Sequence, residues 1–394
     1  MISTILSRLL MVKKFKTYAE TEKQTRIGSG SQQENTAAFS IYPCPSNPRL
    51  DVGIKEEYEV KKSLYVIIVC LFCALPCQGA NYRIEILQVG NVDAFDMAVE
   101  SIKAELAKNA LVEGQNLSIN RTVIDADAEA GLWEKAKIFI KIKSNASRIV
   151  ESKPDLVITV GTPATKYSKD KIIGAGIPLL FTCVAIPELV GCKSKTQAGP
   201  GFSGATIYMD PKDVLQLAKL ALPNLKVMGV VHSDDENAVA YVQEAKAKAS
   251  QFGITIYSKQ VNKSDKFTPA GNELVAKGID AFFIPIDVYY ALRDYEPTKE
   301  LRVFTHNKKI PGIASVIGGH KGSRGGVLYI APDFRIVGAL SGKQAVKILK
   351  EGVKPETLPV ARQEKLDIHI DLVELKALNL QLPMQVLQLA KPLD

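Results

Sequence analysis

From Tyr82 to the C-terminus, short apolar runs alternate with stretches of helical period, and this alternation limits the possible folds more than any other feature. Residues 82–89, 116–125, 155–160 and 178–184 read as strands, with helical patterns over 94–111, over 130–151 and from Pro163 between them. The run Leu-Val-Ile-Thr-Val at 156–160 has almost no polar face, so it needs cover on both sides. Parallel strands flanked by helices supply that cover. The rhythm then restarts, with strands over 226–231, 254–259, 281–285, 313–316 and 326–331. Helices over 236–252 and 334–351 accompany them, the second ending at Gly352. The expected fold class is α/β, with two similar doubly wound parallel-sheet lobes joined by a hinge. The Gly/Pro-rich stretch 199–204 reads as the seam, with chain crossings near Ser203-Gly204 and near Tyr329. Lobe one then takes residues 81–204 plus about 330–360, and lobe two 205–329 plus about 361–394.

A second constraint lies ahead of this body. Lys61-Lys62 precede an apolar run over 64–75, and Pro76-Cys77-Gln78-Gly79-Ala80 form a helix-breaking, small-residue exit. A basic start, a short apolar core and such an exit define an export signal. The run is shorter than the ~20 apolar residues that span a bilayer. Residues 60–80 are therefore expected to be a signal peptide cleaved near Ala80, which places the mature chain in the periplasm. A buried core segment is the alternative, and the abrupt polar restart at Asn81 argues against it. Residues 1–59 show no sustained period and read as a disordered extension upstream of the true start. Lys55-Glu-Glu-Tyr-Glu-Val60 back-translates to a purine-rich ribosome-binding sequence ahead of a GTG codon, which makes Val60 the expected initiator.

The net charge of +8 includes that upstream segment, and the lysines are spread along helical faces. No compact basic cluster interleaves with aromatics, so nucleic acid is not an expected partner. Of the six cysteines, Cys44, Cys70, Cys73 and Cys77 precede the expected mature start. Cys183 and Cys192 remain, as a disulfide or as two free thiols; an oxidising compartment permits either. Cys77 could carry a lipid, but Pro76 stands where a small residue is wanted, so a soluble exported protein is the expectation. His232, His306, His320 and His369 have no metal-ligand spacing. No Gly-x-Ser-x-Gly elbow occurs, and the loop 318–326 lacks the Gly-Lys-Ser/Thr ending of a phosphate loop. Neither a metal nor a cofactor is implied, and an exported α/β enzyme would need a nucleophile–base pair that the sequence does not offer.

Several segments in order carry a family resemblance. They are 155–165 (Asp-Leu-Val-Ile-Thr-Val-Gly-Thr-Pro-Ala-Thr), Pro-Leu-Leu-Phe-Thr from Pro178 and Gly-Phe-Ser-Gly-Ala from Gly201. Lys-Val-Met-Gly-Val-Val-His from Lys226, Gly-Ile-Asp-Ala-Phe-Phe-Ile-Pro-Ile-Asp from Gly278 and Ile-Leu-Lys-Glu-Gly-Val-Lys-Pro-Glu-Thr-Leu-Pro from Ile348 continue the series. Together with the tail from Leu366 to Pro383, they resemble the substrate-binding proteins of ABC-type importers, in the group with tryptophan- and tyrosine-binding members. The resemblance implies a type I periplasmic binding-protein fold with three hinge crossings and a closing cleft. It also implies a monomer without catalytic residues that captures a small-molecule solute and delivers it to a membrane permease. A ligand-sensing periplasmic protein that regulates a membrane receptor would need the same cleft.

The candidate ligand contacts follow from strand ends. Gly161, Thr162, Pro163, Ala164 and Thr165 lie where a strand becomes a helix, with Thr162 as the expected cap and Pro163 in the first turn. A helix start of this kind favours a carboxylate, helped by the Thr162 or Thr165 hydroxyl. Asp287, beyond a second-lobe strand, matches a family aspartate and suits an ammonium group. The residues after it, Val288-Tyr289-Tyr290, depart from the family's small polar residue, and Ile186-Pro187 stands where the family has Asp-Pro. Phe95, Tyr289 and Tyr290 offer flat walls to a solute. Ala185, Glu236 and Ser315 complete the candidates, Glu236 within the acidic cluster that opens the helix after His232. An amino-acid-like zwitterion bridging the lobes is the expected ligand.

Overall fold

The computed structural model describes residues 81–125, 132–317, 324–365 and 367–393. The signal segment, the start at Val60, the upstream extension, the four N-terminal cysteines and loop residues 318–323 lie outside the described residues.

The first half of the chain runs β1 (Tyr82–Val89), α1 (Asp93–Lys108), β2 (Leu117–Ile124), α2 (Leu132–Ser152), β3 (Leu156–Val160), α3 (Thr162–Gly174), β4 (Leu179–Val184) and β5 (Phe202–Thr206). The second runs α4 (Pro211–Ala221), β6 (Val227–Ser233), α5 (Glu236–Ala249), β7 (Thr255–Val261), α6 (Phe267–Val275), β8 (Ala281–Ile284), α7 (Leu292–Lys308), β9 (Gly312–Ala314) and β10 (Leu328–Ala331). The chain ends with α8 (Phe334–Glu351), β11 (Ala361–Arg362), β12 (Asp367–Ile370), α9 (Leu372–Ala377), α10 (Met384–Leu389) and β13 (Ala390–Pro392).

These strands form two sheets, ordered β11-β5-β4-β3-β1-β2 and β13-β12-β10-β9-β8-β6-β7. Pairing is parallel throughout the named strands except between β10 and β12, where Leu328 faces Ile370. Each sheet has one place where the strand order reverses: between β1 and β3 in the first lobe, and between β6 and β8 in the second. In sheets of this kind the crevice beyond the carboxyl ends at the reversal is where ligands sit. The chain passes between the sheets three times, after β5, after β10 and after β11.

Helix α8 returns to the first lobe and packs against α1. The approach is so close that a Cβ added at Gly338 would stand 2.1 Å from the Ala98 carbonyl oxygen. Burial on both faces explains the apolar runs of β3 and β4, in which every residue is buried. One core cluster lies under α2 and α3 and includes Val157, Leu179, Phe181 and Phe202. A second lies under α6 and α7, around Phe267, Phe282, Tyr289 and Phe304. A third continues from one lobe into the other through Ile207, Tyr208 and Met209 on the first crossing. Each fully buried Val, Leu or Ile side chain stabilises the fold by about 1.5–3 kcal/mol.

The chain leaves the first sheet two residues beyond the Gly/Pro stretch 199–204. Phe202–Thr206 continues as strand β5, and the crossing follows it. Gly204 serves packing: a Cβ there would stand 2.2 Å from the Phe181 carbonyl oxygen on the neighbouring strand. Cys183 and Cys192 are free and buried, and they belong to different core clusters. Burial pushes both thiols up to about 12, so each stays protonated and packs as a small apolar group. Among the described residues no helix is long and apolar enough to cross a membrane.

Candidate functional site

The first-lobe rim is built at the reversal between β1 and β3. Gly90 after β1 and Gly161 after β3 have φ of +95° and +86°, which a side chain would strain. A Cβ on Gly161 would meet the Phe95 ring at 3.4 Å. The Phe95 ring thus lies over the strand ends, with Phe334 beside it at 6.5 Å between centroids. Gly161 is the residue before α3, and no side chain caps that helix. Thr162, expected to cap, is instead the first helical residue, and its hydroxyl donates to Asn237 Oδ1 of the second lobe at 3.1 Å.

The Thr165 hydroxyl is turned into the first lobe. It donates back to the Gly161 carbonyl at 2.9 Å and lies 2.8 Å from Thr159 Oγ1, fully buried. Threonine in a first helical turn can reach the carbonyl one turn back, and here it does. Pro163 occupies the first turn, where its missing NH costs nothing, and Ala164 and Ala185 are buried apolar residues.

The second-lobe rim has the same construction. Ser233 ends β6 and Asp287 follows β8, so the two stand on either side of that sheet's reversal. Asp287 joins them: Oδ2 accepts from the Ser233 NH at 2.6 Å, and Oδ1 accepts from the Ser233 hydroxyl at 2.8 Å and from the Tyr289 NH at 3.0 Å. The carboxylate therefore caps the short turn Val288–Ala291 and ties two strand ends together. It is buried, and burial raises its pKa against the opposing effect of the Ser233 and Tyr289 NH groups. At α5, Asp235 accepts from the Asn237 NH at 3.1 Å and caps the helix. Burial acts to raise Asp235, but Lys263 and the Asn237 donors outweigh it and hold the carboxyl below its usual range.

A hydrogen-bond chain runs from the first lobe to Asp287. Thr162 donates to Asn237, Asn237 to Asp235, the Asp235 NH to Ser233 Oγ at 3.2 Å, and Ser233 Oγ to Asp287. Lys166 Nζ donates to Glu236 Oε2 at 2.6 Å, and Lys135 Nζ to Asp234 Oδ2 at 2.8 Å, also from lobe to lobe. The Glu236 carboxylate holds the Lys166 ammonium above its ordinary value. Glu236 is thus a partner of the opposite lobe.

Beside Asp287, the second lobe holds a narrow recess lined by Ile284, Tyr290, Tyr295, Ala314, Gly326 and Tyr329. The candidate aromatic Tyr289 is not part of it. Tyr289 is fully buried in the core, with its hydroxyl donating to the Asp265 carbonyl at 3.0 Å, and the adjacent Tyr290 lines the recess. Ser315 is likewise fully buried, and its NH and hydroxyl both donate to the Ile284 carbonyl, at 2.9 and 3.0 Å. Tyr295 lies in a segment absent from the sequence candidates. Arg293, Asp294 and Tyr295, at the start of α7, have φ of 53°, 53° and 59°. Left-handed backbone costs a side-chain-bearing residue about 1–2 kcal/mol. The segment is held by Arg293 Nη2, which donates to the Asp265 carbonyl at 3.1 Å, and by the Thr298 hydroxyl on the Tyr290 carbonyl at 2.6 Å. It brings the Tyr295 hydroxyl within 3.5 Å of Asp93 Oδ2 in the first lobe.

Two facing strand-end rims on doubly wound lobes form the candidate cleft, and a comparison with known proteins places the chain in a family. The family model described as ABC transporter substrate binding protein matches residues 83–393. The chain belongs to that family. A tyrosine-binding protein of Clostridioides difficile (strain R20291) is 29% identical over 243 residues, covering 61% of this chain and 67% of the relative. A ligand-free, open structure of a substrate-binding protein with adhesive properties from Clostridium difficile has a TM-score of 0.62 at 25% identity, covering 79% of this chain and 99% of that one. The structure of an ABC domain in complex with L-Trp from Streptococcus pneumonia has a TM-score of 0.66 at 21% identity, with the same coverage of each chain, and shares the two-lobed fold.

Proteins of this family are substrate-binding proteins of ABC transporters. Among the described residues no group of three His, Cys, Asp or Glu is placed to hold a metal. The interlobe residues missed by sequence reading, Asn237 and Lys166, each sit one position from a candidate, Glu236 and Thr165, on the helix starts that face one another. Tyr295 carried no sequence signal, since nothing in Arg-Asp-Tyr announces three left-handed residues in succession.

Proposed function

We propose that the protein is the extracytoplasmic solute-binding component of an ABC-type importer, and that its solute is a small, amino-acid-like carboxylate. The observation that carries this reading is the facing of the uncapped α3 N-terminus, with Thr162 and Lys166, and the acidic second-lobe rim of Asp235, Glu236 and Asp287. A carboxylate suits the unpaired first-turn NH groups and the positive end of the helix dipole. An ammonium group suits Asp287, whose burial raises the cost of its charge until a cation lies beside it. The apolar recess by Tyr290 and Tyr295 then receives the remainder of the solute. The tyrosine-binding relative supports an amino acid as the class.

A thermal-shift screen over amino acids, short peptides and simple carboxylates tests this reading. A free amino acid at about 100 times its dissociation constant adds about 2.7 kcal/mol to stability. The same compound with its carboxylate amidated is expected to give no shift. An equal response to both forms would remove the carboxylate from the proposal, and a screen without any responding amino acid would remove the class.

Export belongs to the same proposal, and the basic-then-apolar segment over 61–80 supports it. N-terminal sequencing of protein recovered from its native host is expected to begin within a few residues of Ala80. A native product that retains residues before Val60 would refute both the start and the cleavage.

A further inference from the structure

Helix α5 touches both lobes and the hinge through charged side chains, at two separated points. At the first, Glu244 Oε1 accepts from the Tyr208 hydroxyl at 2.8 Å and from Lys248 Nζ at 2.6 Å, while Oε2 accepts from Lys195 Nζ at 2.6 Å. Tyr208 and Asp210 lie on the first crossing, and Lys248 also donates to Asp210 at 2.7 Å. Lys195 belongs to the first-lobe loop between β4 and β5, which is fastened where the Val360 NH donates to the Thr196 carbonyl at 3.0 Å. Its ammonium also lies 3.8 Å from the Tyr208 ring centroid, within cation–π range. Lobe one, crossing and lobe two therefore meet at Glu244. The four charged side chains of this knot are only 23–27% exposed, so solvent ions screen them weakly.

The second point is the N-terminus of the helix, where Glu236 meets Lys166, Asp234 meets Lys135 and Asn237 meets Thr162. These pairs are more open, at 33% and 41% exposure for Lys166 and Glu236 and 56% and 32% for Lys135 and Asp234. Eight residues separate Glu236 from Glu244, about 12 Å along the helix. A rotation about the first crossing therefore moves the Glu236 end far more than the Glu244 end.

We propose that α5 is an electrostatic latch: the Glu244 knot is its pivot, and Asp234 and Glu236 draw Lys135 and Lys166 across the cleft, so that the lobes close without solute to a degree set by ionic strength. The consequence is a smaller free-energy gap for the solute to supply on closing, because part of the closed population exists beforehand. The latch acts in the unliganded protein, whatever the solute.

Hydrogen exchange on the full chain, freed of bound solute by dialysis from guanidinium, tests it. The readout is amide exchange in the first turns of α3 and α5, with β3 and β4 as an internal reference for global unfolding. Raising salt from about 0.02 M to about 0.5 M is expected to speed exchange at both helix starts about threefold and to leave the reference strands unchanged. Lys166→Glu is expected to speed it about tenfold at low salt and to remove most of the salt response. The charge swap Lys166→Glu with Glu236→Lys is expected to restore slow, salt-sensitive exchange, which a merely structural role would not do. Lys195→Met reports on the pivot and is expected to raise exchange at both helix starts by a similar factor. Salt-independent exchange in the parent chain, or a swap that exchanges as fast as Lys166→Glu, would overturn the proposal. Neither result depends on whether an amino acid binds.

Discussion

Asp287→Ala is expected to weaken solute binding by roughly ten- to a hundred-fold, the loss of a charge-assisted hydrogen bond worth about 1.5–3 kcal/mol. The sequence alone suggests that such a change would leave folding intact, because a carboxylate at a cleft mouth supports little core. The structure shows otherwise. Asp287 accepts hydrogen bonds from the Ser233 NH, the Ser233 hydroxyl and the Tyr289 NH, all in a buried place. Alanine would leave these donors without their acceptor, at a cost of about 1–3 kcal/mol for each one that water cannot reach. A combined loss of about 2–4 kcal/mol in stability is therefore expected beside the loss of affinity. Asp287→Asn separates the two effects, since one carbonyl oxygen remains to accept while the charge is gone. Calorimetry with an amino acid found in the solute screen should show weak binding in both variants, and denaturant unfolding should show the larger stability loss in Asp287→Ala. Parent-like affinity in Asp287→Asn would dismiss the ammonium contact.

The same residue has a pH signature. Burial raises the Asp287 pKa in the folded protein above its unfolded value. The folded state then holds its proton in the interval between the two, so its contribution to stability is fully present below the unfolded pKa and is lost as pH rises through the folded one. Unfolding of the unliganded chain across this interval should show a negative slope of stability with pH from this group. Asp287→Asn should remove it. Carboxylates held low, such as Asp210 and Glu244, act in the opposite sense: burial raises them, but their lysine partners outweigh it. Their contribution is present above the unfolded carboxylate range and is lost as pH falls through the folded value.

What the sequence discloses here follows from how each feature is encoded. Strands buried on both faces need continuous apolar residues, so β3 and β4 announce themselves in Leu-Val-Ile-Thr-Val and Leu-Leu-Phe-Thr-Cys-Val. Strand ends are legible for the same reason, and with them the places where a ligand would sit. The direction of a hydroxyl or a ring at those ends is not legible. Thr162 and Thr165 share a motif, yet one hydroxyl crosses to the other lobe and the other closes on Gly161, a choice made by less than one helical turn. Tyr289 and Tyr290 are neighbours in a short turn, so one enters the core and the next lines the recess. Glycines mislead in a related way. The Gly/Pro stretch 199–204 reads as the seam between the lobes, whereas Gly204 lies within β5 and is small because a neighbouring strand's carbonyl leaves no room for a side chain.

Gly338→Ala is the second large effect, and here two magnitudes of opposite sign compete. Alanine in a helix interior is worth about 1 kcal/mol over glycine, so propensity alone predicts a more stable protein. At Gly338, however, the new Cβ would stand 2.1 Å from the Ala98 carbonyl oxygen and 2.8 Å from the Ala98 Cα. Backbone atoms in α1 cannot swing aside as a flexible side chain would, so α8 must lift away. Overpacking of this kind costs about 1–3 kcal/mol and sometimes more, and the separation also opens the contact between Gly342 and Glu105 farther along the same helix pair. The clash wins: against rigid backbone its cost lies at the top of that range, about 3 kcal/mol, so after the ~1 kcal/mol from helix propensity a net loss of about 2 kcal/mol is expected, or roughly 3 °C in melting temperature for a body of this size. Gly174→Ala, at the last residue of α3 with nothing within 4 Å of its Cβ, is the matched control and should change stability by no more than about 1 kcal/mol. The effect should also reach the binding rim. Helix α8 starts at Phe334, whose ring flanks Phe95 above Gly161, so lifting α8 shifts the aromatic wall of the first lobe. Weaker solute binding is therefore expected in Gly338→Ala even at temperatures where it is fully folded. A melting temperature at or above that of the parent chain would show that α1 and α8 separate at no cost, against the packing argued here.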